Sequence, residues 1–224
     1  MPSRLTVVLV SLLLATPAVI FWLWFVVLPA RLAILCPEEC RCDPEDYHVI
    51  CYNTSLTTVP LMRLTDVRVL RLRHNNATLF ERDNFISRGL TELDILQVGW
   101  CELRTIELGA FNGLTKLREL SLWRNELNEI IRSTYENTNN LKILSLFYNR
   151  VEHLDSGVFS GLVNLKRIYL AENKLKYLHP DTCLGLPNIQ HVILSKNPGL
   201  QILTGRNFIN SIFFFHILVY HTAI

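Results

Sequence analysis

One apolar frame returns at a nearly fixed interval along most of this chain, and no other feature restricts the fold as much. The frame reads L-x-x-L-x-L-x-x-N with close substitutes. Its instances are Val67-Leu70-Leu72-Asn75, Leu93-Leu96-Val98-Cys101, Leu117-Leu120-Leu122-Asn125, Leu141-Leu144-Leu146-Asn149, Leu165-Ile168-Leu170-Asn173 and Ile189-Val192-Leu194-Asn197. The frames start at positions 67, 93, 117, 141, 165 and 189, so the interval is constant after a slightly longer first turn. Within a frame the Leu-x-Leu step has the period of a strand, so the leucines face one side and the residues between them the other. One turn of this length cannot bury its leucines alone, so neighbouring turns must stack with their strands parallel. The closing Asn serves the bare backbone where the chain leaves the strand, since its amide both donates and accepts. Cys101 takes that place in the second frame and reads as a buried structural thiol.

The rest of each turn repeats as well. Apolar residues follow two positions after the Asn (Leu103, Leu127, Val151, Leu175) and five after it (Ile106, Ile130, Leu154, Leu178). A larger one follows at ten: Phe111, Tyr135, Phe159 and Cys183, with Phe208 displaced by one in the last turn. These are expected to pack as a convex wall. The whole pattern resembles the leucine-rich repeat, and Cys36-Pro37-Glu38-Glu39-Cys40-Arg41-Cys42 followed by Cys51 resembles the N-terminal cap of extracellular members such as connectin, chaoptin, Slit and the Toll-type ectodomains. That resemblance covers residues 36 to about 200. It implies an α/β-type solenoid, a right-handed horseshoe with a parallel β-sheet on its concave face and mostly irregular convex loops. The cap would occupy residues 36–66 and six repeats residues 67–212. Four cysteines permit three pairings; the resemblance implies Cys36–Cys42 and Cys40–Cys51. Zinc is the rival use of four close cysteines, disfavoured by C-x-C spacing behind a secretory run.

That run is Leu5 to Ala30, uncharged and preceded by Arg4. Residues 1–35 read as a signal peptide or, if uncut, a signal anchor, since the run is long enough to span a bilayer. Either puts the repeats outside the cytosol, secreted or at the cell surface. Two sequons fit that route, at Asn53 and Asn76. The other end, residues 213–224, is an apolar tail and lacks the second cysteine cap usual in such families. It reads as foreign sequence on a truncated product or as a degenerate seventh strand, Phe215-x-x-Leu218-x-Tyr220, with Phe215 standing to Ile189 as Leu93 stands to Val67. Membrane contact is expected only through the N-terminal run or through a region beyond this chain.

No catalytic constellation is present: no phosphate loop, no G-x-S-x-G elbow and no H-E-x-x-H. His153, Asp155 and Ser156 are close in sequence but fall on a variable convex loop. His216 and His221 have no further ligands beside them. No cofactor, metal or nucleic acid is expected, and the net charge of +2 gives no reason to invoke one. What remains is the outward face of the sheet. Its thirty x positions carry nine Lys or Arg and three Asp or Glu, a local excess of six positive charges. They also carry Trp100, Trp123, Phe147, Tyr148 and Tyr169, of which the first four are expected to share one column. Trp, Tyr and Arg dominate binding hot spots, and clustered exposed apolar groups usually mark a partner surface. The reading is a non-enzymatic extracellular recognition module holding a protein partner on Trp100, Trp123, Arg124, Phe147, Tyr148 and Tyr169, with Arg68, Arg71, Arg73 and Lys142 steering an acidic surface. Adhesion, guidance or receptor signalling would follow. The rival readings are an innate-immune recogniser of microbial glycan or lipid and a structural matrix protein.

Overall fold

A computed structural model describes residues 36–202, apart from 44, 65, 136 and 180, together with the strand His216–Leu218. The chain divides into two compact units, Met1–Cys36 and Pro37–Ile224, and the repeats all lie in the second. Thirteen strands are seen among the described residues, in chain order β1 (Arg41–Asp43), β2 (His48–Tyr52), β3 (Val69–Arg73), β4 (Leu79–Phe80), β5 (Ile95–Gly99), β6 (Thr105–Ile106), β7 (Glu119–Ser121), β8 (Ile143–Ser145), β9 (Arg167–Tyr169), β10 (Tyr177–Leu178), β11 (His191–Ile193), β12 (Gln201–Ile202) and β13 (His216–Leu218). Nine form one sheet in the order β1-β2-β3-β5-β7-β8-β9-β11-β13, while β4 pairs with β6 and β10 with β12 outside it. Apart from the antiparallel pair β1–β2, every pairing in this sheet is parallel. The helical content of the described residues is a single 3-10 turn, Ile86–Arg88.

The register follows the sequence frame. Leu70, Leu96, Leu120, Leu144, Ile168 and Val192 stand side by side, one per turn. All six are buried, as are the Leu or Val side chains two positions on. Burying such a side chain contributes about 1.5–3 kcal/mol, which is why stacking and not any single turn makes the fold. Phe85, Phe111 and Tyr135 stack behind them, with ring centroids 5.7 and 6.0 Å apart.

The asparagines bind as their chemistry requires. Asn149 donates from Nδ2 to the carbonyls of Leu122 (2.8 Å) and Leu146 (3.1 Å) and accepts the Leu127 N–H on Oδ1 at 3.1 Å. Asn75, Asn125, Asn173 and Asn197 repeat the scheme. Each thereby ties its own turn to the one before it. Cys101 donates its thiol to the carbonyls of Leu72 and Gly99, both at 3.4 Å. A second ladder, invisible in the leucine frame, runs just before it: Asn140, Asn164 and Asn188 donate from Nδ2 to the carbonyls of Thr115, Asn139 and Val163.

At the cap, β2 extends the parallel sheet, setting Val49 beside Leu70 and Cys51 beside Leu72. Both cap residues are buried, so the leucine edge of the first repeat is covered. Cys40 is bonded to Cys51, and Cys36 and Cys42 are oxidised too. At the far end β13 pairs with β11, placing Ile217 opposite Val192. A strand therefore follows the sixth repeat at His216–Leu218. The strand sits one position earlier than the Phe215 frame expects, which sets Ile217 and not Leu218 in line with the core column. Phe208, Phe213 and Tyr220 lie outside the described residues, as does the apolar run at residues 5–30.

Candidate partner-binding face

The residue before each closing Asn has an unusual backbone. His74, Trp100, Arg124, Tyr148, Glu172 and Lys196 all have φ between 50° and 58°. Left-handed backbone at a residue with a side chain is strained, and it persists only where surrounding bonds dictate it. Here the dictating bonds are at hand. The N–H groups of His74, Trp100, Arg124, Tyr148 and Glu172 donate to carbonyls of the next turn, while the Asn amide that follows grips the strand behind. The turn off the strand is thus the same in every repeat, and it brings one side chain per turn into a row.

In that row Trp100 stacks on His74 with centroids 5.3 Å apart, and Tyr52 from the cap meets His74 edge-on at 5.2 Å. Arg124 lies between two rings, its Cζ 4.6 Å from the centroid of Trp100 and 4.1 Å from that of Tyr148. Each such contact is worth about 0.5–2 kcal/mol, and together they hold the guanidinium in place. Trp100 is 44% exposed and Tyr148 43%. With Glu102, Glu126 and Arg150 behind it, the row lines a groove of about 440 Å³.

Trp123 and Phe147 do not share this column, contrary to the expectation of one. They stand one position earlier in the frame, in line with Gly99 and Ala171. Gly99 explains how Trp123 is seated: a Cβ built there would lie 2.5 Å from the indole, so the ring occupies the space a side chain would need. From that seat Trp123 meets Trp100 edge-on at 6.4 Å, and Phe147 meets Tyr148 at 6.1 Å. The two columns still form one aromatic patch. Tyr169, half-buried on β9, stands apart in the column of Arg71 and Ser121. Val69 also departs from the outward reading, being buried on the cap side of the sheet, where the Tyr47 carbonyl accepts both its N–H and that of Arg68.

The four basic residues expected to steer a partner are not equivalent. Arg71 and Arg73 both donate to Gln97 Oε1, at 3.2 and 2.9 Å, and Gln97 passes the link to Glu119. They are half-buried parts of a network across three strands. Arg68 lies 3.9 Å from Asp94, which Arg118 approaches at 3.8 Å from the other side. Lys142 makes no ion pair among the described residues and is exposed. Behind the groove Arg104 and Arg150 converge on Glu126 at 2.8 and 2.5 Å, and the Arg104 hydrogen bond holds that carboxyl below the usual glutamate range. Residues 102, 126 and 150 follow one another at the repeat period, and reading the position after each Asn as a column would have found them.

The candidate glycan sites flank the same row. Asn53 is the cap's left-handed counterpart of His74, and its N–H donates to the Arg73 carbonyl. Asn76 is exposed and lines the groove beside Trp100. Neither remaining thiol is poised for chemistry: burial pushes both Cys101 and Cys183 up to about 11. His153 faces Tyr177 at 5.1 Å on an exposed loop. No group of three or more metal-ligating side chains is found among the described residues.

The family profile described as "Leucine rich repeat" matches residues 89–150 and 139–198. No curated protein matches the chain. Among solved structures, TLR13 in its crystal structure with ssRNA13 aligns at a TM-score of 0.61 and 24% identity, over 74% of this chain and 25% of that one. This chain therefore spans about a quarter of that protein's length. Human 5T4 (Wnt-activated inhibitory factor 1, trophoblast glycoprotein) aligns at a TM-score of 0.56 and 19% identity, over 82% of this chain and 80% of that one. Both likenesses are of fold.

Proposed function

The chain belongs to the leucine-rich repeat superfamily, and from that premise we propose that it is a non-catalytic, extracellular recognition module that holds a protein partner on the open face of its sheet. The observation that carries this reading is the exposed row Trp100–Arg124–Tyr148 with Trp123 and Phe147 packed beside it. Large aromatics held rigid by stacking lose little freedom on binding, and an arginine already fixed between two rings presents its remaining N–H edge at small entropic cost. A buried aromatic centre with a charged margin is the usual anatomy of a protein interface. Export is supported by the oxidised cap cysteines, because such bonds persist in oxidising compartments. Asn53 and Asn76 would then carry glycans at the cap end of the row, so the partner's footprint extends from Trp100 away from the cap.

The test is a binding screen of the labelled, exported chain against an array of secreted and cell-surface ectodomains, repeated with variants. Trp123→Ala and Tyr148→Ala should each cost on the order of 2 kcal/mol in affinity for any partner found. Arg132→Ala, on an exposed loop between strands, should change nothing. Affinity that survives the double aromatic substitution but is lost with Arg132→Ala would refute the reading.

A further inference from the structure

The opposite edge of the same sheet carries a feature that the aromatic groove does not use. The second position of each frame, where the chain enters the strand, bears Arg68, Asp94, Arg118, Lys142 and Lys166 in five successive turns. With Glu92 and Lys116, the first four of these line a second groove of about 460 Å³. Its acids are committed: Asp94 lies between Arg68 and Arg118, and Glu92 is paired with Lys116. Beyond them Lys142, Lys166 and Arg167 are exposed and form no ion pair among the described residues. Adjacent strands are about 4.8 Å apart, so Arg118, Lys142 and Lys166 follow one another at one strand step, and Arg167 stands next to Lys166 in the chain.

We propose that this edge binds a linear sulfated polysaccharide, laid across β7, β8 and β9. A line of exposed cations matches a chain of closely spaced anions and gains by releasing that chain's counterions. A protein partner would need an apolar centre to bury, and this row contains none. Single-stranded nucleic acid would need aromatic faces for its bases. Tyr47 reaches this edge only at its cap end, against Arg68, and the aromatic row lies at the other edge. The fixed, fully ionised charge of a sulfate suits lysine and arginine side chains that have no competing acid beside them.

The experiment is retention of the full exported chain on immobilised heparin, eluted by salt, with a single-stranded homopolymer RNA of matched charge as competitor. The unmodified chain should bind at about 0.1 M salt and release steeply as salt rises. Lys142→Ala, Lys166→Ala and Arg167→Ala should each weaken binding about fivefold, and together on the order of a hundredfold. The triple exchange to the alternative cation (Lys142→Arg, Lys166→Arg, Arg167→Lys) should restore it. Trp123→Ala with Tyr148→Ala should leave heparin affinity unchanged, which separates this edge from the aromatic groove. No retention, retention indifferent to the triple alanine variant, or RNA displacing the chain as readily as free heparin would overturn the assignment.

Discussion

Gly99 shows how much one residue decides on this face. Its missing side chain leaves the space that the Trp123 indole fills, and from that seat Trp123 meets Trp100 across the two columns. Cys101 shows the converse, a residue whose reactive group has been put out of use. Its thiol is buried against the carbonyls of Leu72 and Gly99, and like Cys183 it is pushed up to about 11. Because the folded chain keeps these protons after the unfolded chain has lost them, the thiols stabilise the fold fully below the ordinary cysteine value. That contribution falls as pH rises from about 9 towards about 11. Urea unfolding across that window should show stability declining, and Cys183→Ala should reduce the decline. At neutral pH a thiol reagent should not label Cys101 until the chain unfolds, while the partly buried Cys183 should react more slowly than a free thiol. Rapid labelling of the folded chain would show the burial argument to be wrong.

Among the elements, the cap strand β2 and the asparagine turns do unlike work. The turns hold by hydrogen bonds that every repeat supplies again, whereas the cap occurs once and is short. Its apolar contribution is Val49 and Cys51, together with neighbours such as Val59, and a bond closes the loop from Cys40 to Cys51. Loss of a native disulfide from a small exported segment typically costs about 2–5 kcal/mol. Cys40→Ser should therefore lower the secreted yield sharply and reduce the midpoint of thermal unfolding, read by circular dichroism on whatever material is exported. An interior turn is held redundantly but not freely. Asn149→Ala would orphan the buried N–H of Leu127, while the carbonyls of Leu122 and Leu146 would keep the amides of Asn125 and Asn173. Such an orphaned group costs about 1–3 kcal/mol.

At the scale of the whole molecule the two edges of one sheet are chemically distinct. Rings and a stacked arginine line the ends of the strands; free cations line their starts. Both sequons fall on the aromatic edge near the cap, and this yields a prediction about the exported chain. Glycosidase treatment should shift its mobility, and Asn53→Gln with Asn76→Gln should abolish the shift. Removing the Asn76 glycan alone should change the fluorescence of Trp100, which shares its groove. A chain whose mobility ignores the glycosidase would contradict export through the glycosylating route. The leucine frame read alone determined a great deal: the parallel stacking, the buried columns and the role of each asparagine. These follow from a strict period, because a side chain's facing is set by its place in the repeat. The period does not say which outward side chains touch. That depends on the left-handed turn that aligns His74, Trp100, Arg124 and Tyr148, and on the space above Gly99. It depends equally on the pairing that ties Arg71 and Arg73 to Gln97 while leaving Lys142 free. The register of β13, one position from the expected one, belongs with them. Such features are settled between neighbouring turns, by packing and hydrogen bonds across a distance of one strand, and only the tertiary structure brings those turns together.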